Sequence, residues 1–300
     1  MKADPRFANV VPAFWANVRS ISQTLGYTDK VTKGIKRYSA SDIQAAYAKL
    51  GLSSAHLFND GSATEFGSLL LEYFAYRADI LERIAEPNLM DYPEARVEFD
   101  ALFDAIKPRR PLIKNKQKGE KAGPQLLTGM VNMLWEQAVG SDFNGDPTQL
   151  TTITRDGLPV RTLARRVDGA FPSIVNPLAI WEIKEYYFTT TFGSRVADGV
   201  YETLLDGLEL QELRDTEGID VKHFLIVDSK YTWWSGNGRG YLCRMVDMLH
   251  MGLVDEVLFG REVVTRLPAI IADLVAMRDA GLAGDHPGDP NALDIPRDDA

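Results

Sequence analysis

Two residues of opposite charge lie inside the stretch LAIWEIKEYY, which spans Leu178 to Tyr187. Side chains alternate between the two faces of a strand, so Glu182 and Lys184, two positions apart, are predicted to leave the same face. Both faces are apolar at the start of the stretch, which is typical of a strand covered on both sides. A buried charge must be paired or must bind a ligand. Taken alone, the pair favours a salt bridge or a strand that emerges into solvent.

A carboxylate upstream gives the pair a second interpretation. Asp168, in RRVDGAFPS, is predicted to end a strand that connects to the strand of Glu182 through a short segment containing proline. An antiparallel pair would bring both carboxylates together, and their oxygens suit Mg²⁺ or Mn²⁺. A metal there would stabilise charge developing on a phosphodiester and lower the pKa of an attacking water. Lys184 would either orient that water or stabilise the pentacoordinate phosphate. Asp156 is the alternative first carboxylate, although it lies in a predicted turn.

The order of elements after Pro124 predicts the sheet that would position these residues. Helix, strand or hairpin, strand, helix, strand and helix follow one another, which indicates an α/β fold with a mixed central sheet flanked by helices. The strand at 222–228 is expected to run parallel to the strand at 178–188, because a helix crosses between them. We divide the chain into a helical N-terminal region (1–106), a basic linker (107–123), an α/β core (124–282) and an acidic tail expected to be disordered (283–300).

With this element order, the motif Asp168…Glu182-Ile183-Lys184 resembles the PD-(D/E)XK nuclease superfamily, which includes many type II restriction endonucleases. The resemblance covers roughly residues 124–260. It implies a restriction-endonuclease-like core, hydrolysis of DNA phosphodiester bonds, Asp168 and Glu182 as ligands of Mg²⁺ (or Mn²⁺ in its place), and Lys184 as the catalytic lysine. Members often carry a supporting glutamate on the helix before the hairpin, and Glu136 occupies that place. Many also have proline before the first aspartate, where this chain has Val167.

A second Asp-x-Lys pattern, Asp228-Ser229-Lys230, is placed where a strand ends, and it has no acidic partner on an upstream hairpin. Asp228 is therefore the weaker candidate for the metal site. Functional groups are nevertheless common at the carboxyl ends of parallel strands.

Several other residues are candidates for contact with nucleic acid. The segment KPRRPLIKNKQKGEK either connects two regions as a solvated linker or contacts phosphates as a strap. The stretch TTTFGSR precedes a helix, so its serine can cap that helix and also contact phosphate. The aromatic loop YTWWSGNGRGY either contacts bases or packs on the core. The DNA-contacting candidates from these three segments are Lys116, Lys118, Ser194, Arg195 and Arg239.

Composition limits the remaining classes of protein. The net charge of −9 argues against a uniformly basic nucleic-acid-binding protein but allows a local basic groove. The single cysteine excludes an internal disulfide and a cysteine-based zinc site. No secretory signal or membrane-spanning run is expected, so we predict a cytoplasmic protein. The main hypothesis is a dimeric restriction or phage-defence endonuclease acting on double-stranded DNA. The alternatives are a non-catalytic nucleic-acid-binding or assembly module and a metabolic enzyme with a structural Glu–Lys pair.

Overall fold

The chain forms a mixed α/β fold in a computed structural model that describes residues 1–8, 10–119, 122–188 and 194–284. The side chains of Ser194 and Arg195 lie outside that description. The helices are α1 (Pro12–Leu25), α2 (Ala40–Leu50), α3 (Glu65–Ile80), α4 (Glu86–Asn88), α5 (Tyr92–Ile106), α6 (Leu126–Val139), α7 (Ser194–Glu217), α8 (Arg239–His250), α9 (Glu262–Thr265) and α10 (Leu267–Asp279). The strands are β1 (Phe58–Asn59), β2 (Ser62–Ala63), β3 (Thr152–Arg155), β4 (Leu158–Thr162), β5 (Gly169–Phe171), β6 (Ala179–Glu185), β7 (Lys222–Asp228) and β8 (Glu256–Phe259).

A four-stranded mixed sheet in the order β5-β6-β7-β8 positions the candidate residues. β5 runs antiparallel to β6, and Gly169 pairs with Trp181. β6 and β7 run parallel, as the crossover helix α7 predicted, and β8 continues parallel to β7. The strand that Asp168 was predicted to end is divided into two, and Asp168 lies directly before the second of them. The first of them, β4, pairs with β3 in a separate two-stranded sheet, and only the second joins β6 as β5.

Helices cover both faces of this sheet, which explains the apolar character of β6. Trp181 and Ile183 pack with residues of α5, α6 and α10. Ile180, on the opposite face, packs with Leu210 and Leu213 of α7. The start of the strand is therefore buried on both faces, as its composition predicted. The charged pair that follows lies on the face covered by α7.

The N-terminal helices form a second, aromatic core. Helix α2 begins with a capping box made by Ser39 and Asp42 and ends at Gly51 in the left-handed conformation. Within this core, the rings of Phe14 of α1 and Tyr73 of α3 pack edge to face, with their centroids 5.6 Å apart. After α3 the chain passes through a π turn at Leu81–Ala85 and α4 to reach α5. The expected helical character of residues 1–106 is thus found in α1 to α5.

Residues 107–123, predicted as a basic linker, include a paired loop. The Gln125 N–H donates to the Ile113 carbonyl at 2.8 Å, and the Asn115 N–H donates to the Gly123 carbonyl at 2.9 Å. These bonds tie 113–115 to 123–125 as two antiparallel arms. We call residues 113–119 and 122–125 the basic loop. The loop is therefore held in place and does not simply span two regions.

Candidate functional site

The carboxylate of Asp168 is positioned by the backbone of the neighbouring strand. The Asp168 N–H donates to the Trp181 carbonyl at 3.1 Å, and its Oδ2 accepts the Ile183 N–H at 2.7 Å. Gly169 permits this close approach, because a Cβ at that position would lie 2.0 Å from the Trp181 ring. Asp168 is therefore held against the strand that carries Glu182 and Lys184.

Glu182 and Lys184 leave the same face of β6 and form an ion pair. The Lys184 Nζ lies 2.8 Å from the Glu182 Oε2 and 3.1 Å from the Oε2 of Glu202 on α7. Glu182 is fully buried and Lys184 is 5% exposed. Gly199 brings α7 close, since a Cβ there would meet the Lys184 side chain at 3.1 Å. The salt bridge expected from the pair alone is thus present, within a larger cluster.

Arg165 and Asp206 complete this cluster, and neither was a candidate from the sequence. The Arg165 Nη1 lies 2.8 Å from the Glu182 Oε1 and 2.6 Å from the Asp206 Oδ2. Asp206 is fully buried, and its Oδ1 has no hydrogen-bond partner among the described residues. The acidic cluster, as we call it below, comprises Asp168, Glu182, Glu202 and Asp206 with the cations Arg165 and Lys184.

Burial and the charges of neighbouring groups shift the pKa values of the carboxylates in this cluster. Burial, together with the charge of Glu182, raises the pKa of Asp168 to about 6 and that of Asp206 to about 7. Burial also raises the pKa of Glu182, but the charge of Lys184 and the hydrogen bond from Arg165 outweigh it and keep that pKa below its usual value. Four carboxylates face two cations, so the fully ionised cluster carries a net charge of about −2.

The donor atoms of the acidic cluster can be compared with the needs of a divalent metal ion. No group of three or more His, Cys, Asp or Glu side chains is arranged to hold a metal within residues 1–8, 10–119, 122–188 and 194–284. Mg²⁺, however, is commonly bound through one or two carboxylates, with water and substrate phosphate as its other ligands. Asp168 and Glu182 provide two such carboxylates, and the excess negative charge is what a divalent cation would balance. Asp168 and Glu182 are therefore the residues that would hold such an ion, with water and substrate phosphate as its other ligands.

A polar cavity of about 600 Å³ opens beside the cluster. Asp168 and Arg165 line it, whereas Glu182 and Lys184 do not. Lys114 and Lys116 of the basic loop line the same cavity. The cavity beside Asp168 is therefore lined by both basic and acidic side chains, the latter including Asp146 and Glu185.

Glu136 lies apart from this cavity, near the other end of α6. Its carboxylate accepts the backbone N–H of Arg109 at 2.8 Å and that of Arg110 at 3.4 Å. The first turn of α6 is instead held by Glu185, which accepts the N–H groups of Leu126 at 2.8 Å and Thr128 at 3.1 Å. Glu185 of β6 is therefore the glutamate that connects the strand to α6, whereas Glu136 binds the start of the basic linker, 107–123.

The other DNA-contacting candidates are separated from the cavity or lie outside the description. The Cζ of Arg239 lies 4.6 Å from the ring centroid of Trp234. The guanidinium of Arg239 also donates to the carbonyls of Trp234 and Lys33. Lys118 is exposed and does not line the cavity. The side chains of Ser194 and Arg195 were also candidates, and they lie outside the described residues.

Asp228 and Asp156, the two weaker candidates for a metal-binding carboxylate, lie in other parts of the structure. Asp228 is buried and accepts the N–H groups of Met90 and Ser229, each at 2.8 Å, so it joins the sheet to the start of α5. Asp156 lies with positive φ in the turn between β3 and β4. Neither one lines the cavity beside Asp168. Trp233 and Trp234 of the aromatic loop are buried, so they pack on the core.

Comparisons with known proteins divide the chain in two. Residues 90–274 match a family model described as domain of unknown function (DUF7687), and residues 1–84 match one described as DUF7690. The boundary falls before α5, whose Phe99 packs in the same cluster as α6. Neither the curated proteins nor the solved structures contain a match to this chain. In the described part of the chain, no helix is long and apolar enough to cross a membrane.

Proposed function

We propose that this chain, which belongs to the DUF7687 family, is a metal-dependent endonuclease that hydrolyses phosphodiester bonds of double-stranded DNA. The observation that carries the proposal is the position of Asp168, directly before β5, next to Glu182 and Lys184 on the adjacent strand β6, in a cluster of four carboxylates and two cations. The lysines of the basic loop beside it supply the complementary surface for phosphates.

The topology supports a restriction-endonuclease-like core. Helix α6 precedes the strands, the antiparallel pair β5–β6 carries Asp168 and the Glu182-Ile183-Lys184 motif, and α7 crosses to the parallel strand β7. This order is similar to that of the PD-(D/E)XK nucleases. On this proposal, Asp168 and Glu182 are the metal ligands, and Lys184 acts beside them.

Each residue then has a defined task in phosphodiester hydrolysis. Asp168 and Glu182 would hold Mg²⁺ or Mn²⁺, and the bound metal would supply Lewis-acid stabilisation of the phosphate and a more acidic water. Lys184 stays protonated, because the negative charges of Glu182 and Asp168 outweigh burial and raise its pKa above the usual value. Its ammonium group can orient a water or stabilise the negative charge of the transition state, and it does not serve as the base.

The biological setting and the assembly follow as further parts of the proposal. Cleaving both strands of a duplex requires two sites of opposite strand polarity, which a homodimer with two-fold symmetry would supply. A restriction or phage-defence role in the cytoplasm suits such an enzyme.

Plasmid cleavage with and without Mg²⁺ tests the proposal. We expect the wild type to nick or linearise DNA, and we expect Asp168→Asn, Glu182→Gln and Lys184→Met to lower the rate by at least about 100-fold each. Glu212→Gln, which alters a carboxylate that is 59% exposed on α7, serves as the control with retained activity. Cleavage that persists in all three site variants would exclude this site.

A non-catalytic nucleic-acid-binding module is the second candidate, and one observation favours it. Arg165 and Lys184 already pair with both oxygens of Glu182. A module of this kind would bind DNA through the basic loop and would cleave neither modified nor unmodified DNA with any divalent metal. Binding and cleavage measured on the same preparation separate the two functions.

A further inference from the structure

Arg165 contacts Glu182 and also lines the cavity from which a metal and a phosphate would enter. Its guanidinium lines the cavity and contacts both carboxylate oxygens of Glu182, at 2.8 Å and 3.2 Å. Glu182 itself is fully buried and does not line the cavity. The glutamate is therefore covered by a positive charge from the protein.

This contact conflicts with metal binding unless the guanidinium moves. A divalent cation and a guanidinium repel each other, so they cannot both lie within bonding distance of the same Glu182 oxygen. Lys184 and the Arg165 Nη2 both donate to Oε2, at 2.8 Å and 3.2 Å, so the oxygen that a metal would have to take is Oε1. This atom has no hydrogen bond among the described residues but lies 2.8 Å from the Arg165 Nη1. Metal binding through Glu182 must therefore displace Arg165 from this oxygen.

The surroundings of Arg165 provide an alternative position for it. The guanidinium is also 2.6 Å from Asp206 and 3.6 Å from Glu202, both on α7. Release from Glu182 would leave it paired with these two carboxylates, so the cost of an unpaired buried charge would be avoided. At 22% side-chain exposure, and on the wall of the cavity, the group can also reach solvent and ligand.

We propose that Arg165 is a displaceable internal cation that regulates this site. It neutralises Glu182 while no metal is bound. When a metal takes Glu182, Arg165 stays on Asp206 and directs its free N–H groups to the phosphate in the cavity. This inference rests on the proposed function, and it makes Arg165 a positioning residue that couples metal binding to phosphate binding.

Mn²⁺ binding without DNA, followed by electron paramagnetic resonance of the free ion, tests this proposal independently of cleavage. Arg165→Met removes the competing charge, so we expect Mn²⁺ to bind on the order of tenfold more tightly than in the wild type. Arg165→Lys, which keeps the charge, should bind more weakly than Arg165→Met. Arg155→Met is the matched control, because Arg155 has similar exposure (21%) and pairs with Glu217 at 2.9 Å away from the cluster; its Mn²⁺ affinity should equal that of the wild type.

A double variant tests whether the higher Mn²⁺ affinity expected for Arg165→Met depends on Glu182. Arg165→Met combined with Glu182→Gln should lose the added Mn²⁺ affinity, and circular dichroism melting checks that each variant is folded. Equal Mn²⁺ affinity of the wild type and Arg165→Met, or undiminished affinity of the double variant, would overturn the role of Arg165. The proposed nuclease function is judged separately by plasmid cleavage, where Arg165→Met should combine tighter metal binding with slower cleavage.

Discussion

The Asp168 carboxylate accepts the Ile183 backbone N–H at 2.7 Å, so a side chain extends the hydrogen bonding between β5 and β6 to the residue directly before β5. The partner strand, and not a chance rotamer, therefore sets the position of this carboxylate. Its neighbour Gly169 pairs with Trp181, which fixes the register. A slip of one residue would turn Glu182 and Lys184 to the α6 side of the sheet, so the register is a condition for the site.

Glu136→Gln should leave metal-dependent cleavage unchanged. Its carboxylate binds the N–H groups of Arg109 and Arg110, and it does not line the cavity of Asp168. Glutamine keeps one acceptor oxygen but loses the charge, so we expect the free energy of unfolding to fall by about 1 kcal/mol. Cleavage assays and urea unfolding check both parts. A loss of activity equal to that of Glu182→Gln would restore the catalytic role that the sequence suggested for Glu136.

Replacing Lys114 and Lys116 by alanine should weaken DNA binding in a salt-dependent way. Both lysines line the cavity from the basic loop. Removing one lysine–phosphate ion pair should reduce the slope of log K against log salt by about 0.9, so the double variant should show a reduction of up to about twice that value. Fluorescence anisotropy with labelled duplex DNA in Ca²⁺ measures the slope at several salt concentrations.

Two exposed lysines of the N-terminal region provide the control for that experiment. Lys30 and Lys49 are exposed and do not line the cavity, so their replacement by alanine should leave the slope nearly unchanged. Equal slopes for the two double variants would show that the basic loop does not contact the DNA.

The sequence was informative wherever short-range geometry determined the result. The period of two in β6 predicted that Glu182 and Lys184 share a face, and the crossover helix predicted the parallel pairing of β6 with β7. The antiparallel approach of Asp168 also followed from the short connection to β6. These features depend on alternation and on connections that the chain order makes visible.

The rest of the cluster depends on contacts that no spacing rule reveals. Arg165 is the first of two consecutive arginines, and the fold alone turns it toward Glu182 and Asp206. Asp206 is one of many acidic residues in α7, and its burial results from the packing of that helix on β6. Glu185 was not a candidate from the sequence, but it holds the first turn of α6. Such roles require the register of helix against sheet, which the sequence does not encode locally.

Arg77→Met should strongly destabilise the junction between the N-terminal helices and α8. Arg77 is fully buried, and its Nη1 donates to both oxygens of Asp247 at 3.0 Å, while Tyr73 donates to Asp247 at 2.6 Å. Removing one partner leaves a buried charge uncompensated, so we expect the free energy of unfolding to fall by about 3–5 kcal/mol. Urea unfolding of the single variants measures this decrease.

A double-mutant cycle separates the ion pair from the packing of its side chains. Asp247→Asn should also destabilise the protein, and Arg77→Met/Asp247→Asn should cost less than the two single changes together, because the double variant contains no unpaired charge. Strict additivity would mean that the two side chains do not interact energetically.

Asp228 should make stability fall as the pH rises from about 4 to about 7. Burial raises the pKa of this carboxyl to about 7, well above its ordinary value of 3.8. Between these values the unfolded chain has lost the proton and the folded chain still holds it, so the folded state binds more protons and rising pH favours unfolding. Asp228→Asn removes this titration while keeping an oxygen that can accept the N–H groups of Met90 and Ser229. Relative to the wild type, the variant should therefore gain stability across this interval, with the difference constant above about pH 7. Thermal melts of both proteins at half-unit pH steps measure it, and a difference that does not change with pH would show that Asp228 titrates normally in the fold.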